Sequence, residues 1–202
     1  MSHATELPPG HFHHFEPETA YHASKFGMWL FLATEVLLFG GLFCAFAVFR
    51  WVYFDQFHAA STMLDWRLGA LNTAVLLFSS YTMVLGVDAA QHGNNKKVVS
   101  CLNITVICAL IFLVVKYFEY SAKIEHGLFP PKEIFFGLYF CMTGLHGLHV
   151  IAGMGLLLWV RSLAKKNLFS ETYYTPVEVS GLYWHLVDMI WIFLFPLLYL
   201  VG

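Results

Sequence analysis

The sequence predicts an all-α, polytopic membrane protein built as a bundle of five transmembrane helices. Three observations carry that reading. Hydrophobic residues make up 58% of the 202-residue chain and charged residues only 12%, with a mean hydropathy of +0.64, whereas a soluble domain of this length needs far more polar surface. The apolar residues gather into five runs, each close to the ~20 residues that cross the hydrocarbon core as a helix. Strands could not satisfy their backbone groups in lipid without closing a barrel.

The first span is predicted over 26–49, between Lys25 and Arg50. The second covers 68–87, between Arg67 and Asp88. The third covers 98–115, after "NNKK" and before "KYFEY"; the fourth covers 134–160 and stops at "RSLAKK". The fifth covers 179–201, after "ETYYTPVE". The connections are short and polar, with "QHGNN" and "FPPKE" as turn signals. Residues 1–24 read as a polar tail and 25–202 as a single transmembrane domain. The tail has no basic patch leading into a short apolar region, so it is not read as a secretory signal. Its crowded His11, His13 and His14 read as a solvated or partner-contacting arm rather than a metal site.

Lys25, Lys96, Lys97, Arg161, Lys165 and Lys166 fall on the N-terminal side of the spans, against Arg50, Arg67, Lys116, Lys123 and Lys132 on the other. The excess is a single charge, but the dense pairs favour an N-terminus in the cytoplasm. A net charge of −2 excludes nucleic acid, which demands a basic face. Cys44, Cys101, Cys108 and Cys141 all lie in apolar runs without a CxxC pair, so they read as small packing residues.

The informative residues are polar ones placed where lipid should be. Glu35 lies about nine residues into the first span, near mid-membrane at ~1.5 Å per residue. An ionised side chain there costs on the order of 3 kcal/mol, so the carboxyl must be protonated or face a partner or water. It either stabilises packing as a hydrogen-bonded acid, or exchanges protons or couples to a neighbouring subunit. In "TGLHGLHVIAG", His146 and His149 are three apart on one helix face. They read as neutral imidazoles hydrogen-bonded across helices, with Gly147 and Gly153 allowing close backbone approach. In the fifth span, Asp188 follows His185 by three residues, where it could orient the imidazole, accept its proton or pair with another helix. Lys116 and Glu119 form an i,i+3 pair read as snorkelling at the interface. Glu119, His146, His149, His185 and Asp188 include metal-ligating types. Their spacing, however, lacks the paired Glu-x-x-His repeats of di-iron bundles, and no CxxCH haem attachment is present.

Taken in order, the segments resemble subunit III of the haem–copper oxidases, the cytochrome c and quinol oxidase family. The resemblance rests on "SKFGMWLFLATEVLLFGGLFCAF", "LNTAVLLFSSYT", the "EY" of Glu119–Tyr120, "TGLHGLHVIAG", and Glu178 seven residues before the His185 of "YWHLVDMIW". It implies a non-catalytic subunit that binds no haem or copper itself and packs beside catalytic subunit I, with subunit II and other oxidase subunits around it. It implies phospholipid binding, support of proton uptake and sustained turnover, and admits membership of a respiratory supercomplex. The complex would reduce oxygen to water with electrons from cytochrome c or quinol, in the bacterial cytoplasmic (inner) membrane. Glu35 falls on the family's buried carboxyl, known for reacting with carbodiimide. Glu119, His146, His149, Glu178, His185 and Asp188 fall on its intramembrane polar and helix-packing positions, with no metal among them. The mitochondrial form has seven spans. The five here match the shorter bacterial arrangement, in which the first pair is absent or appended to subunit I. Competing readings are a subunit III-like partner of a nitric oxide reductase, a stand-alone proton-coupled transporter using Glu35, and a haem protein with histidine axial ligands.

Overall fold

A computed structural model of the protein describes residues 17–61, 64–125 and 134–200. Among these there is no β-strand. Six α-helices follow one another: α1 (Pro17–Val52), α2 (Phe54–Ser61), α3 (Trp66–Gln91), α4 (Asn95–Glu125), α5 (Ile134–Lys165) and α6 (Thr175–Phe195), and a π turn (Pro196–Leu200) extends α6. All except α2 are long and apolar enough to cross a membrane, with α6 and the π turn forming one span. The crowded histidines of the tail and the "FPPKE" turn lie outside the described residues.

The helices outrun the predicted spans. A hydropathy window ends where charge begins, whereas a helix ends where its backbone finds other partners. α3 starts at Asp65, whose carboxylate accepts the Arg67 backbone N–H at 2.9 Å and so caps the orphan donors of the first turn. At its other end, Gly93 adopts φ 66°, and the Asn94 and Gly93 N–H groups return to the Ala89 and Ala90 carbonyls at 2.9 and 3.0 Å. This is a Schellman closure, and its left-handed position suits glycine. α5 closes in the same way with Asn167 at φ 53°: the Leu168 and Asn167 N–H groups meet the Leu163 and Ala164 carbonyls at 3.4 and 3.0 Å. The two loops are joined by Asn95, whose side chain donates to the Phe169 carbonyl at 2.8 Å and accepts its N–H at 3.3 Å. Lys25, Gln91, Asn95, Lys165 and Thr175 therefore share one end of the bundle, the near face; Trp66, Glu125, Ile134 and Leu200 mark the far face.

Helices α3, α4, α5 and α6 form a ring, each against the next, and α1 lies outside it against α5 and α6. Lipid offers no hydrophobic drive for this, so shape and interhelical hydrogen bonds must supply it. α6 carries most of the shape. Val177, Trp184, Val187, Trp191 and Leu194 are fully buried along it. Its two indoles each donate to α3, Trp184 to the Ser79 hydroxyl and Trp191 to the Thr73 hydroxyl, both at 3.0 Å. Gly153 on α5 makes room for α6: a Cβ there would stand 2.9 Å from the Trp184 ring. Its neighbour is thus an aromatic ring and not a backbone, and Gly147 has nothing within 4 Å, so the expected backbone approach does not occur at either glycine.

α1 buries a single stripe. Leu32, Phe39 and Phe46 are buried, with Tyr21, Lys25, Met28, Glu35 and Phe43 half-buried along the same stripe, at three- and four-residue spacing. The opposite face, with Trp29, Leu30, Val36, Leu37 and Val48, is exposed. Glu35 therefore points into the bundle, onto α5.

Candidate functional site

Glu35 meets His149. Its Oε2 lies 2.9 Å from the Nε2 of His149, and the two side chains retain only 14% and 15% of their exposure. The chemistry of the pair follows from the other ring nitrogen. Nδ1 lies 2.8 Å from the Leu145 carbonyl, one turn back on α5. A carbonyl only accepts, so Nδ1 carries a hydrogen. A neutral imidazole then has a bare Nε2 and requires the bridging hydrogen on the carboxyl; a carboxylate requires it on an imidazolium. In either form a single proton lies between the two groups, and the pair as a whole is neutral. Phe39 closes the site in an edge-to-face contact, its ring centroid 5.3 Å from that of the imidazole, and Tyr183 of α6 donates to the His149 carbonyl at 3.1 Å. Glu35 thus ties α1 to α5, with α6 bracing the same turn.

A second constellation fills the far-face half of the ring. Lys116 and Glu119 do not snorkel outward; they are buried, at 7% and 6% exposure. Each oxygen of the Glu119 carboxylate is engaged. Oε2 accepts from Lys116 at 2.9 Å, and Oε1 accepts from Lys123 at 2.6 Å, Tyr199 at 2.6 Å and Tyr139 at 3.0 Å. Lys116 also donates to the Tyr199 hydroxyl at 2.6 Å and stands 4.6 Å from the Trp191 ring centroid. Three consecutive turns of α4 present these charges to one face, and α5 and the π turn answer with tyrosines. Beside them the Tyr120 hydroxyl bonds Thr143, whose own hydrogen is committed to the Tyr139 carbonyl at 2.6 Å.

The remaining predicted residues disperse. His146 is fully buried between Phe112 and Trp191, with ring centroids 5.5 and 5.4 Å away, while His149 one turn on reaches α1. His185 bonds Ser80 of α3 through Nδ1 at 2.7 Å, and Asp188 is buried facing α3, so no His185–Asp188 bond forms. Glu178 sits in the first turn of α6 at the near face. It accepts Lys25 Nζ at 2.8 Å and the Tyr21 hydroxyl at 3.1 Å, clamping α1 to α6. Among the described residues no group of three His, Cys, Asp or Glu is placed to hold a metal ion. Sequence reasoning missed Lys123, Tyr139 and Tyr199. The i,i+4 spacing of Glu119 and Lys123 was a usable signal; the tyrosines, on other helices, gave none.

Fold and contacts together define a multi-pass helical membrane protein whose buried polar side chains reach mainly from helix to helix. The family model described as cytochrome c oxidase subunit III matches residues 10–202, and the chain belongs to that family. It is 34% identical over 192 residues to cytochrome c oxidase subunit 3 of Synechocystis sp., covering 95% of this chain and 79% of that one. It is 30% identical over 188 residues to the cytochrome bo(3) ubiquinol oxidase subunit 3 of Pseudomonas aeruginosa, covering 88% and 86%. Cytochrome c oxidase subunit 3 of Loxodonta africana is 32% identical over 196 residues, covering 88% and 69%. The chain is accordingly a haem–copper oxidase subunit III, part of a membrane complex with other oxidase subunits.

Proposed function

We propose that the chain is the non-catalytic subunit III of a proton-pumping terminal oxidase in a bacterial cytoplasmic membrane, with its N-terminus in the cytoplasm. There it packs beside subunit I as one transmembrane domain, and the complex reduces oxygen to water. Its own task is to stabilise subunit I and support proton uptake through long runs of turnover. The observation that supports this is the Glu35–His149 contact between α1 and α5, whose geometry suits one shared proton in a neutral unit that keeps its shape in lipid. Glu35, Glu119, His146, His149, Glu178, His185 and Asp188 serve helix packing and that local proton store. Haem and copper belong to the partner subunits. Phospholipid has a suitable surface in the apolar groove of about 560 Å³ between α3 and α4, lined by Ala74, Val75, Phe78, Ile104, Ile107, Cys108 and Ile111, whose walls suit an acyl chain.

The test is a mild-detergent pull-down from the native membrane, with partners weighed by mass spectrometry and haem read by absorption. A haem–copper subunit I carrying all the haem is expected. Recovery of a nitric oxide reductase, or of the chain alone and colourless, would move the assignment to that partner or to a transporter. Within the recovered complex, Glu35→Gln keeps a side chain that can bond Nε2 but cannot share an acidic proton. Assembly is therefore expected to persist, with turnover lifetime or its pH profile altered. Complete loss of oxygen reduction by an assembled complex overturns the supporting role.

A further inference from the structure

Three side chains in the ring of α3 to α6 stand apart from the hydrogen-bonded networks above. Asn72 on α3, His146 on α5 and Asp188 on α6 are 0%, 0% and 2% exposed. Both amide atoms of Asn72, both ring nitrogens of His146 and both carboxyl oxygens of Asp188 find no hydrogen-bond partner among the described residues. The Ser79 and Ser80 hydroxyls face Asp188 from α3; Ser79 accepts from Trp184, and Ser80 is bonded to His185.

The three share one neighbourhood, with Trp191 as its wall. Trp191 follows Asp188 by one turn of α6, its ring lies 5.4 Å from that of His146, and its Nε1 donates to Thr73, next to Asn72. Lys116 stands over the same indole. Buried polar groups are almost always hydrogen-bonded, and at this depth bulk water does not reach them. Buried side chains presenting both donors and acceptors, with no protein partner, describe a site for ordered water.

We infer that the interior of the bundle binds water: a small set of internal molecules lodged beside Trp191 that bridges Asn72, His146 and Asp188. At about three hydrogen bonds each, about two molecules satisfy these atoms. They accept from the Asn72 amide N–H groups and the protonated imidazole nitrogen, and donate to the Asn72 oxygen, the bare imidazole nitrogen and the Asp188 carboxyl. The set closes the interval between the His185–Ser80 pair and the Lys116–Tyr199–Glu119 cluster, giving the core a polar run that α6 threads.

The test is a density map of the chain in its native assembly, fine enough to show ordered water. Peaks within about 3.2 Å of polar atoms on at least two of the three residues are expected. Direct side-chain contacts among the three, or polar atoms facing no density, overturn the inference. Infrared spectra of the assembly exchanged into H₂¹⁸O give a second reading. Isotope-sensitive O–H stretching bands of sequestered water are expected in the native complex and should weaken or move in Asp188→Asn and Asn72→Leu. Bands absent from the native complex, or unmoved in both variants, also overturn it. If Asn72→Leu fails to assemble, Asp188→Asn, which preserves size and shape, carries the comparison.

Discussion

Glu119 is the residue on which most partners converge. Its single carboxylate balances two buried ammonium groups, so removing it leaves Lys116 and Lys123 without a counter-charge in a low-dielectric interior. Breaking a buried ion pair from one side costs about 3–5 kcal/mol. Glu119→Leu is expected to lose that much stability, read as a fall in the thermal midpoint of the detergent-solubilised chain. Lys116→Met, which leaves Glu119 paired with Lys123, should cost clearly less, and equal losses would show that the carboxylate is not the hub. Much of this chemistry could be seen in the sequence as residue types at intramembrane depth. Their partners could not. Glu35 finds His149, and Glu119 finds Tyr139 and Tyr199, only because of how α1, α5 and the π turn are registered against their neighbours. Spacing along one helix holds no record of that register, and so His185 and Asp188, one helical turn apart in sequence, bond elsewhere or not at all.

At the scale of elements, the question is what holds helices in place where lipid gives no hydrophobic drive. The α3–α4 and α5–α6 connections are locked to each other by Asn95, whose amide satisfies both the carbonyl and the N–H of Phe169. Asn95→Ala orphans both groups and is expected to destabilise the protein by about 1–3 kcal/mol, measured by thermal or denaturant unfolding. The clamp from α1 to α6 is weaker. Lys25 and Glu178 keep 31% and 18% of their side-chain exposure, so a double-mutant cycle with Lys25→Met and Glu178→Gln should give a coupling of only ~0.2–1 kcal/mol, falling with salt. The elements themselves were legible as spans because hydropathy is a sum over many residues. Their ends were not. α4 continues ten residues past its apolar run, to Glu125, because Lys116, Glu119 and Lys123 turn inward to tyrosines, which a hydropathy window scores as an exit from the membrane. The short helix α2 fell between two spans and left no apolar signal of its own.

For the whole molecule, the uneven burial of the helices predicts where it meets other surfaces. α6 is the most buried of the spans, with Met189, Ile192 and Phe193 left exposed, whereas α1 touches the ring along one stripe and offers an apolar face that must be covered by lipid or by another oxidase subunit. The four cysteines report on this without any substitution. Cys44 lies on the outer face of α1 and Cys141 on the outer face of α5, both exposed; Cys101 and Cys108 of α4 are buried. In the isolated, detergent-solubilised chain, a small maleimide should modify Cys44 and Cys141 at least tenfold faster than Cys101 and Cys108, as counted by peptide mass spectrometry. Equal rates at all four would mean that the α3–α4 packing described here does not hold in solution. In the assembled complex the same count becomes a footprint: loss of labelling at Cys44 alone places the partner on α1, loss at Cys141 alone places it on α5, and retention at both leaves those faces to lipid. Because α1 presents its broad apolar face opposite the Glu35–His149 pair, protection of Cys44 would put the partner subunit on the helix that carries the shared proton.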